Sequence, residues 1–161
     1  MTNPVLGPVR DARAADVPAL EAVIRTSGLF TPEEATGFAE TLPAHFESLG
    51  DDPAASPLWL MADGGLGAAY LAPEPPPGVW SLLFLGVRPE ARRRGLARAL
   101  VAEVERRARL RGARMLLIDT SSALPMAAAR ALYADLGYER VADIADYWAP
   151  GEAKLTFRRL L

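Results

Sequence analysis

Two spacings of apolar residues alternate along the chain, and together they predict a strand–helix–strand unit near its middle. Residues 79–87 (VWSLLFLGV) and 114–120 (RMLLIDT) are nearly continuous apolar runs, which is typical of strands buried on both faces. Between them, apolar residues recur every fourth position over 95–111, which predicts a helix that Gly112 ends. A helix between two strands of this kind predicts a crossover, with the two strands parallel.

Weaker patterns on both sides of this unit predict antiparallel strands and further helices. The predicted strands are 9–13, a hairpin over 58–72 that turns at 63–65, 138–148 and 152–161. The predicted helices are 16–27 with Asp16 as its cap, 31–49 with a kink or break at Pro43, and 124–136, whose core face is Leu124, Ala128, Leu132 and Leu136. The stretches 50–57 and 73–78 are predicted loops. The sequence therefore predicts an α/β fold in one domain over 1–161, with a mixed, mostly antiparallel sheet of about six to seven strands and about four helices.

Composition narrows the chemistry that the chain can carry out. The 161 residues include no cysteine and one histidine, His45. Disulfides, thiolate metal sites and a cysteine nucleophile are thereby excluded, and a histidine-based triad has little to work with. The formal net charge is −2 and no apolar run approaches the length of a membrane span, so we expect a soluble, cytoplasmic protein without a metal.

The segment 87–100, VRPEARRRGLARAL, places three consecutive arginines and a glycine where a strand gives way to a helix. The first N–H groups of a helix lack partners within the helix, and the helix dipole adds about half a positive charge there. Gly95 lets an anion approach the backbone, and arginine side chains add charged hydrogen bonds to it. The pattern of a Walker A loop is absent, as is that of a dinucleotide-binding loop. Interleaved glutamates at 103 and 105 argue against a nucleic-acid-binding face, so the segment predicts a phosphate site.

From about Val79 to Tyr138 the sequence resembles the GCN5-related N-acetyltransferase (GNAT) superfamily. The resemblance is carried by the segment that begins LGVRPEARRRGLARAL and by the later ALYADLGYERV, and Arg92, Gly95 and Ala97 match the family pattern Q/R-x-x-G-x-G/A. The ending IADYWAPGEAKLTFRRLL also resembles a subgroup with the pattern D-[FY]-[YW]-x-P-G-[DE]-x-K.

The resemblance implies acetyl-CoA as the donor, held where the central parallel strands splay apart. The pantetheine arm is then expected on the backbone of Leu85, Gly86 and Val87, and the pyrophosphate on the amides of the loop, with Arg92 orienting that loop. The complete set of expected cofactor-binding residues is Leu85, Gly86, Val87, Arg92, Arg93, Arg94, Gly95, Leu96, Ala97, Arg98, Met126 and Ala129. Met126 departs from the family, which commonly has an asparagine there whose side chain contacts the cofactor.

By the same resemblance, Tyr133 matches the tyrosine that often protonates the departing thiolate, and the backbone N–H of Val87 is the candidate donor to the oxyanion. An aromatic residue that packs in the core is the alternative interpretation of Tyr133. The base stays open among four side chains, Glu33, Glu34, Asp119 and His45. A water relay, or an amine that arrives already neutral, is an equal alternative to them.

The predicted function is acetyl-CoA-dependent N-acetylation of a small-molecule, peptide or protein amine by direct attack in a ternary complex. The predicted partners are acetyl-CoA and the amine, without nucleic acid or membrane, and a homodimer is compatible with the aromatic tail. The acceptor pocket is expected around five aromatic residues that are alternatively core or interface residues: Phe30, Trp59, Trp80, Tyr147 and Trp148. A non-catalytic module that binds acyl-CoA is the alternative function.

Overall fold

Seven strands and five α-helices succeed one another in the computed structural model, which describes residues 7–48, 50, 52 and 54–161. The strands are β1 (Val9–Asp11), β2 (Leu58–Ala62), β3 (Gly67–Pro73), β4 (Val79–Val87), β5 (Met115–Ser121), β6 (Glu139–Ala149) and β7 (Glu152–Leu160). The helices are α1 (Val17–Thr26), α2 (Pro32–Ala39), α3 (Leu42–Glu47), α4 (Leu96–Leu110) and α5 (Ala127–Asp135). Among the residues described, no helix is both long enough and apolar enough to cross a membrane.

All seven strands join one mixed sheet in the order β1-β2-β3-β4-β5-β7-β6. Strands β4 and β5 are parallel, and the other neighbouring pairs are antiparallel. The connection between the parallel strands contains α4, because parallel neighbours need a crossover. The predicted fold class is therefore confirmed, with β4 at the centre of the sheet as its apolar sequence indicates.

The sheet separates two hydrophobic clusters. On one side, α4 packs through residues such as Leu100 and Val104 on the sheet residues Leu82 and Ile118. The other cluster joins α1, α2 and α3 to β2, β3 and β4, and Phe84 lies in it. Leu82 of β4 lies in the first cluster and Phe84 in the second, so β4 supplies both. Residues two apart on a regular strand share a face, and the change of face follows from the irregularity between Leu82 and Phe84, where the register with β3 shifts.

Two local predictions change in detail. The helical segment predicted over 31–49 is split into α2 and α3. The chain turns at residues 40–41, just before the predicted break, and Pro43 lies in the first turn of α3. Leu49 and positions 51 and 53 of the predicted loop lie outside the described residues. Asp16 precedes α1 but its side chain does not cap that helix. Its carboxylate instead accepts hydrogen bonds from the Arg10 guanidinium at 2.7 and 2.8 Å and from the Arg13 backbone N–H at 2.8 Å.

One glutamate of α4 that the sequence indicates as exposed is buried. Only 7% of Glu105 is exposed, and its carboxylate accepts a hydrogen bond from the Tyr138 hydroxyl at 3.0 Å. Arg159 of β7 approaches the same carboxylate at 3.2 Å. Burial, together with the neighbouring Glu105, raises the pKa of Tyr138, so this hydroxyl stays protonated. The buried network ties α4, the segment after α5 and β7 together.

Candidate functional site

The two central strands pair along only part of their length and then stop pairing. The parallel ladder joins residues 79–82 of β4 to 115–118 of β5, although β4 continues to Val87 and β5 to Ser121. The β3–β4 register shifts at the same level, which leaves Leu83 between the paired residues Leu82 and Phe84 without a partner in β3. A cavity of about 770 Å³ opens where the pairing ends, and we call this opening the fork.

The loop before α4 forms one wall of the fork. Gly95 has φ +83° and ψ 5°, and Arg93 also adopts a left-handed conformation, with φ +60°. Left-handed residues interspersed in a turn direct successive backbone N–H groups into one concavity, which is an anion-binding geometry. The first turn of the 15-residue helix α4 follows directly and adds its unpaired N–H groups. The loop thus has the geometry that the sequence predicts for a phosphate site.

The Arg92 side chain ties this loop to two other elements. Its Nε donates to the Val87 carbonyl oxygen at 3.1 Å, and its Nη2 donates to the carbonyl oxygens of Thr26 at 2.9 Å and Ser27 at 3.0 Å. Arg92 therefore holds the end of β4 against the end of α1. These contacts are what an orienting role for Arg92 requires.

The charges around the loop are arranged for an anion. Arg92, Arg93 and Arg98 line the fork, whereas Arg94 is not among the residues that line it. Arg98 also pairs with Asp135 of α5. The remaining loop residues in the wall are Gly95, Leu96 and Ala97. The structure thus brings together all of the expected loop residues except Arg94.

The end of β4 forms the adjoining wall, where Leu85, Gly86 and Val87 line the fork as expected. Gly86 has a packing reason to be glycine: a Cβ there would come within 2.5 Å of the Phe84 ring and 3.1 Å of Val23. The absence of a side chain at Gly86 therefore lets α1 and the Phe84 ring pack against the strand that borders the fork.

Helix α5 forms the opposite wall, and here one prediction is wrong. The expected core face begins at Leu124, but this residue is 85% exposed and lies in a 3-10 turn before the helix. Tyr133 is the buried residue of α5, and Ala129 and Leu136 pack beside it on the core. The helix begins later than its apolar pattern indicates, and of the expected core face Leu136 packs on the core whereas residues 128 and 132 line the fork. Met126, at the start of α5, and Ala129 both line the fork.

Tyr133 meets both interpretations that the sequence left open. Its ring packs at 5.7 Å from Phe157 and 6.1 Å from Tyr138, as a core residue does. The same residue also lines the fork. Burial raises the pKa of Tyr133 to about 12, so its hydroxyl is protonated at neutral pH and available as a proton donor.

Of the four candidate bases, Asp119 alone lies in the wall of the fork. Glu34 serves α2 instead, because its Oε2 accepts the Thr31 backbone N–H at 2.9 Å; Glu33 is exposed in the same turn. His45 lies in a separate cavity of about 260 Å³, with its ring 5.6 Å from that of Tyr70, and burial lowers its pKa. Their locations in the structure therefore distinguish Asp119 from the other three candidate bases, which their sequence contexts could not do.

The five aromatic residues expected at an acceptor pocket do not come together. Trp59 and Trp80 are buried in the two different hydrophobic clusters, as the alternative interpretation predicts. Phe30 stacks on Phe84 at 6.1 Å, while Tyr147 and Trp148 are about half exposed on β6. The wall of the fork instead includes Ser27 and Leu29 from the α1–α2 connection and Leu83 from β4. Ser27 and Leu29 come from the connection between the first two helices, which the family resemblance implies for the acceptor pocket, and they reach the fork through the folding of α1 onto the sheet.

Comparison with solved structures places this arrangement among known folds. A GNAT-family protein from Desulfovibrio desulfuricans is 29% identical, with a TM-score of 0.85 over 94% of this chain and 97% of that one. The ribosomal-protein-S18-alanine N-acetyltransferase of Escherichia coli has a TM-score of 0.72 at 21% identity, over 94% and 92% of the two chains. The PaiA N-acetyltransferase of Thermoplasma acidophilum, in complex with coenzyme A, has a TM-score of 0.70 at 16% identity, over 92% and 96%. No curated protein sequence matches the chain.

A family model gives the assignment from the sequence. It covers the end of α1, the fork, the loop before α4 and the whole of α5, which are the elements that shape the cavity. Since this model, described as the acetyltransferase (GNAT) family, matches residues 25–138 and so more than half of the sequence, the chain belongs to that family.

Proposed function

We propose that the protein is an N-acetyltransferase that transfers the acetyl group of acetyl-CoA to an amine by direct attack within a ternary complex. The observation that carries the proposal is the loop around Gly95, whose left-handed residues suit an anion and which lines the same cavity as a buried tyrosine. The diphosphate of acetyl-CoA needs a loop that binds anions, and the thioester at the end of its pantetheine arm needs a proton donor such as this tyrosine.

The fit of acetyl-CoA to the fork rests on three walls. The amides from Arg93 to Arg98 hold the diphosphate, and the neighbouring arginine side chains compensate its charge. The backbone of β4 beyond Leu82 has no β5 partner in the ladder, so Leu85, Gly86 and Val87 hold the pantetheine arm along that free edge. Met126 gives the arm an apolar contact, and the small Ala129 leaves room for it.

Tyr133 supplies the proton that the sulfur of the donor needs as it departs. Its hydroxyl is protonated because burial disfavours the phenolate. The backbone N–H of Val87 stabilises the charge that develops on the carbonyl oxygen. Direct attack needs no covalent intermediate on the enzyme, which suits a chain without cysteine.

The assay for this proposal is release of free thiol from acetyl-CoA in the presence of one amine at a time. The panel holds a peptide with N-terminal alanine, a lysine-containing peptide, a polyamine, an aminoglycoside and benzylamine. We expect thiol release above the rate without amine for at least one of them, with the acetylated amine confirmed by mass spectrometry. If acetyl-CoA raises the melting temperature and every amine gives only the background rate, the protein is a binding module and the proposal is wrong.

A further inference from the structure

The charges on the wall of the fork are of one sign except at one residue. Arginines at 92, 93 and 98 surround the predicted phosphate end. Asp119 is the sole carboxylate among the described residues that line the cavity. A carboxylate repels a phosphate, and the Lys154 ammonium that pairs with Asp119 is not among the residues that line the cavity, so within this wall Asp119 suits a cationic group. The ammonium form of an acceptor amine is such a group.

Asp119 lies at the apex of the fork. It directly follows Ile118, the last residue of β5 that pairs with β4. Leu116 and Ile118 are buried in the cluster that also contains Tyr133, whereas Asp119 is exposed on the other face of the strand. Tyr133 and Asp119 therefore border the same cavity from opposite faces of the sheet. A thioester placed between them has a proton donor on one side and a proton acceptor on the other.

Two residues of β7 fix the carboxylate in this position. The Thr156 hydroxyl donates to Oδ1 at 2.6 Å, and Lys154 Nζ donates to Oδ2 at 2.8 Å. Lys154 is itself held, since its Nζ lies 4.8 Å from the centre of the Tyr147 ring on β6. The Asp119 side chain stays 43% exposed, and each oxygen, having accepted one hydrogen bond, retains the capacity to accept another.

We propose that Asp119 binds the ammonium group of the acceptor and takes its proton, and that Lys154 and Thr156 are positioning residues for it. This inference rests on the proposed function. The amine nitrogen loses its first proton to Asp119, and its lone pair then forms the bond to the acetyl carbon. As the carbon–sulfur bond breaks, sulfur keeps the electron pair and takes a proton from the Tyr133 hydroxyl. The second proton lost by nitrogen restores Tyr133, and the proton on Asp119 leaves to water.

The test replaces Asp119 with the isosteric asparagine and compares it with a matched variant. Asp143→Asn on β6 is the control, because Asp143 is also an exposed strand carboxylate in an ion pair, with Arg140, and does not line the fork. The probes are benzylamine and the alanine peptide, assayed by thiol release. We expect Asp119→Asn to lower kcat/KM for the amine by at least about 100-fold, as for loss of a general base. KM for acetyl-CoA should change less than twofold, and Asp119→Glu should recover part of the rate.

A pH profile separates proton transfer from a structural effect. Two titratable groups line the fork beside the proposed acceptor position, Asp119 of β5 and Tyr133 of α5, and the loop arginines 92, 93 and 98 line the same cavity. Lys154 of β7 pairs with Asp119 from outside the lining, and Tyr147 of β6 and Glu74 act on Lys154. Without the carboxylate, only amine that is already neutral reacts. The rate of Asp119→Asn should therefore rise about tenfold per pH unit up to the pKa of the amine, more steeply than that of the wild type.

Three outcomes would overturn the inference. If Asp119→Asn retains the wild-type kcat/KM and pH profile, Asp119 is not the proton acceptor, while the proposed function stands. If Asp119→Asn raises KM for acetyl-CoA by as much as it lowers kcat/KM for the amine, Asp119 serves cofactor binding or the fold instead. If wild type releases no thiol with any amine, the proposed function and this inference fall together. Should Asp119→Asn not fold, Thr156→Val decides, because the inference requires a lower kcat with an unchanged KM for acetyl-CoA.

Discussion

Gly95 offers the sharpest test of how the fork holds its donor. The perturbation is Gly95→Glu, which adds both a side chain and a negative charge where the loop enters α4. Gly112→Glu is the matched control, because Gly112 has φ +78° beside +83° for Gly95 and follows the other end of the same helix. A Cβ on Gly112 meets nothing within 4 Å. The two variants therefore share a backbone penalty and an added charge, and differ in position.

The structure allows the expected effects to be worked out separately. A left-handed residue other than glycine costs about 1–2 kcal/mol, so each variant should melt roughly 2–8 °C lower. In the Gly95 variant, a carboxylate about 4 Å from the diphosphate adds ~1 kcal/mol of repulsion in bulk water and ~4 kcal/mol at an effective dielectric constant near 20. Acetyl-CoA should therefore bind about 5- to 1000-fold more weakly to Gly95→Glu alone.

The assay is the melting temperature with and without acetyl-CoA. At about 100 times the dissociation constant, the ligand adds roughly 2.7 kcal/mol, or about 5–11 °C, to wild type and to Gly112→Glu. Gly95→Glu should gain about 1 °C at the same concentration if its affinity is about 100-fold weaker. A full ligand-induced gain for Gly95→Glu, or an equal reduction of that gain in both variants, would refute the assignment of the loop as the diphosphate site.

Two further predictions concern proton donors and ion pairs. Tyr133→Phe should lower kcat by about 100-fold or more with little change in KM for acetyl-CoA, because the ring remains and the proton donor is lost. Since burial raises the pKa of Tyr133 to about 12, its deprotonation should not reduce the wild-type rate between pH 7 and 10 in a thiol-release assay. The Arg10 hydrogen bond lowers the pKa of Asp16 to about 2, below the ordinary value of 3.8, so the pair stabilises the fold above about pH 4 and less as the pH falls toward 2. Asp16→Asn should reduce the free energy of unfolding by on the order of 1 kcal/mol at pH 7, with the difference shrinking below about pH 4 in urea titrations; a difference independent of pH would contradict this.

Much of the architecture could be predicted from the chain because its signals are local. Three of these signals depend only on neighbours a few residues away: the apolar runs of β4 and β5, the apolar residues four positions apart in α4, and the turn at 63–65. The structure confirms the elements that they predict. The position of the loop before α4 belongs to the same class, since the sequence places a glycine, which adopts a left-handed conformation without steric cost, directly before the helix. The roles of the individual loop residues stay predictions.

Local signals failed where a helix had a choice of faces. The apolar spacing of 124–136 allows more than one stripe, and only the position of α5 against β7 brings Tyr133 inward and leaves Leu124 in solvent. Glu105 likewise sits in a sequence context typical of an exposed helix surface. It is buried because Tyr138 and Arg159 arrive from elsewhere in the chain to satisfy its carboxylate.

The sequence by itself thus determined the order of the elements, the parallel pair and the arginine–glycine turn before α4, because each follows from the spacing or identity of adjacent residues. Only the tertiary structure decided what surrounds the side chains that line the fork. Arg92 reaches the carbonyls of Thr26 and Ser27, and Asp119 meets Lys154 and Thr156, through the packing of α1 and the register of β7. Contacts between residues so distant along the chain depend on sheet register and helix placement, which no local pattern encodes.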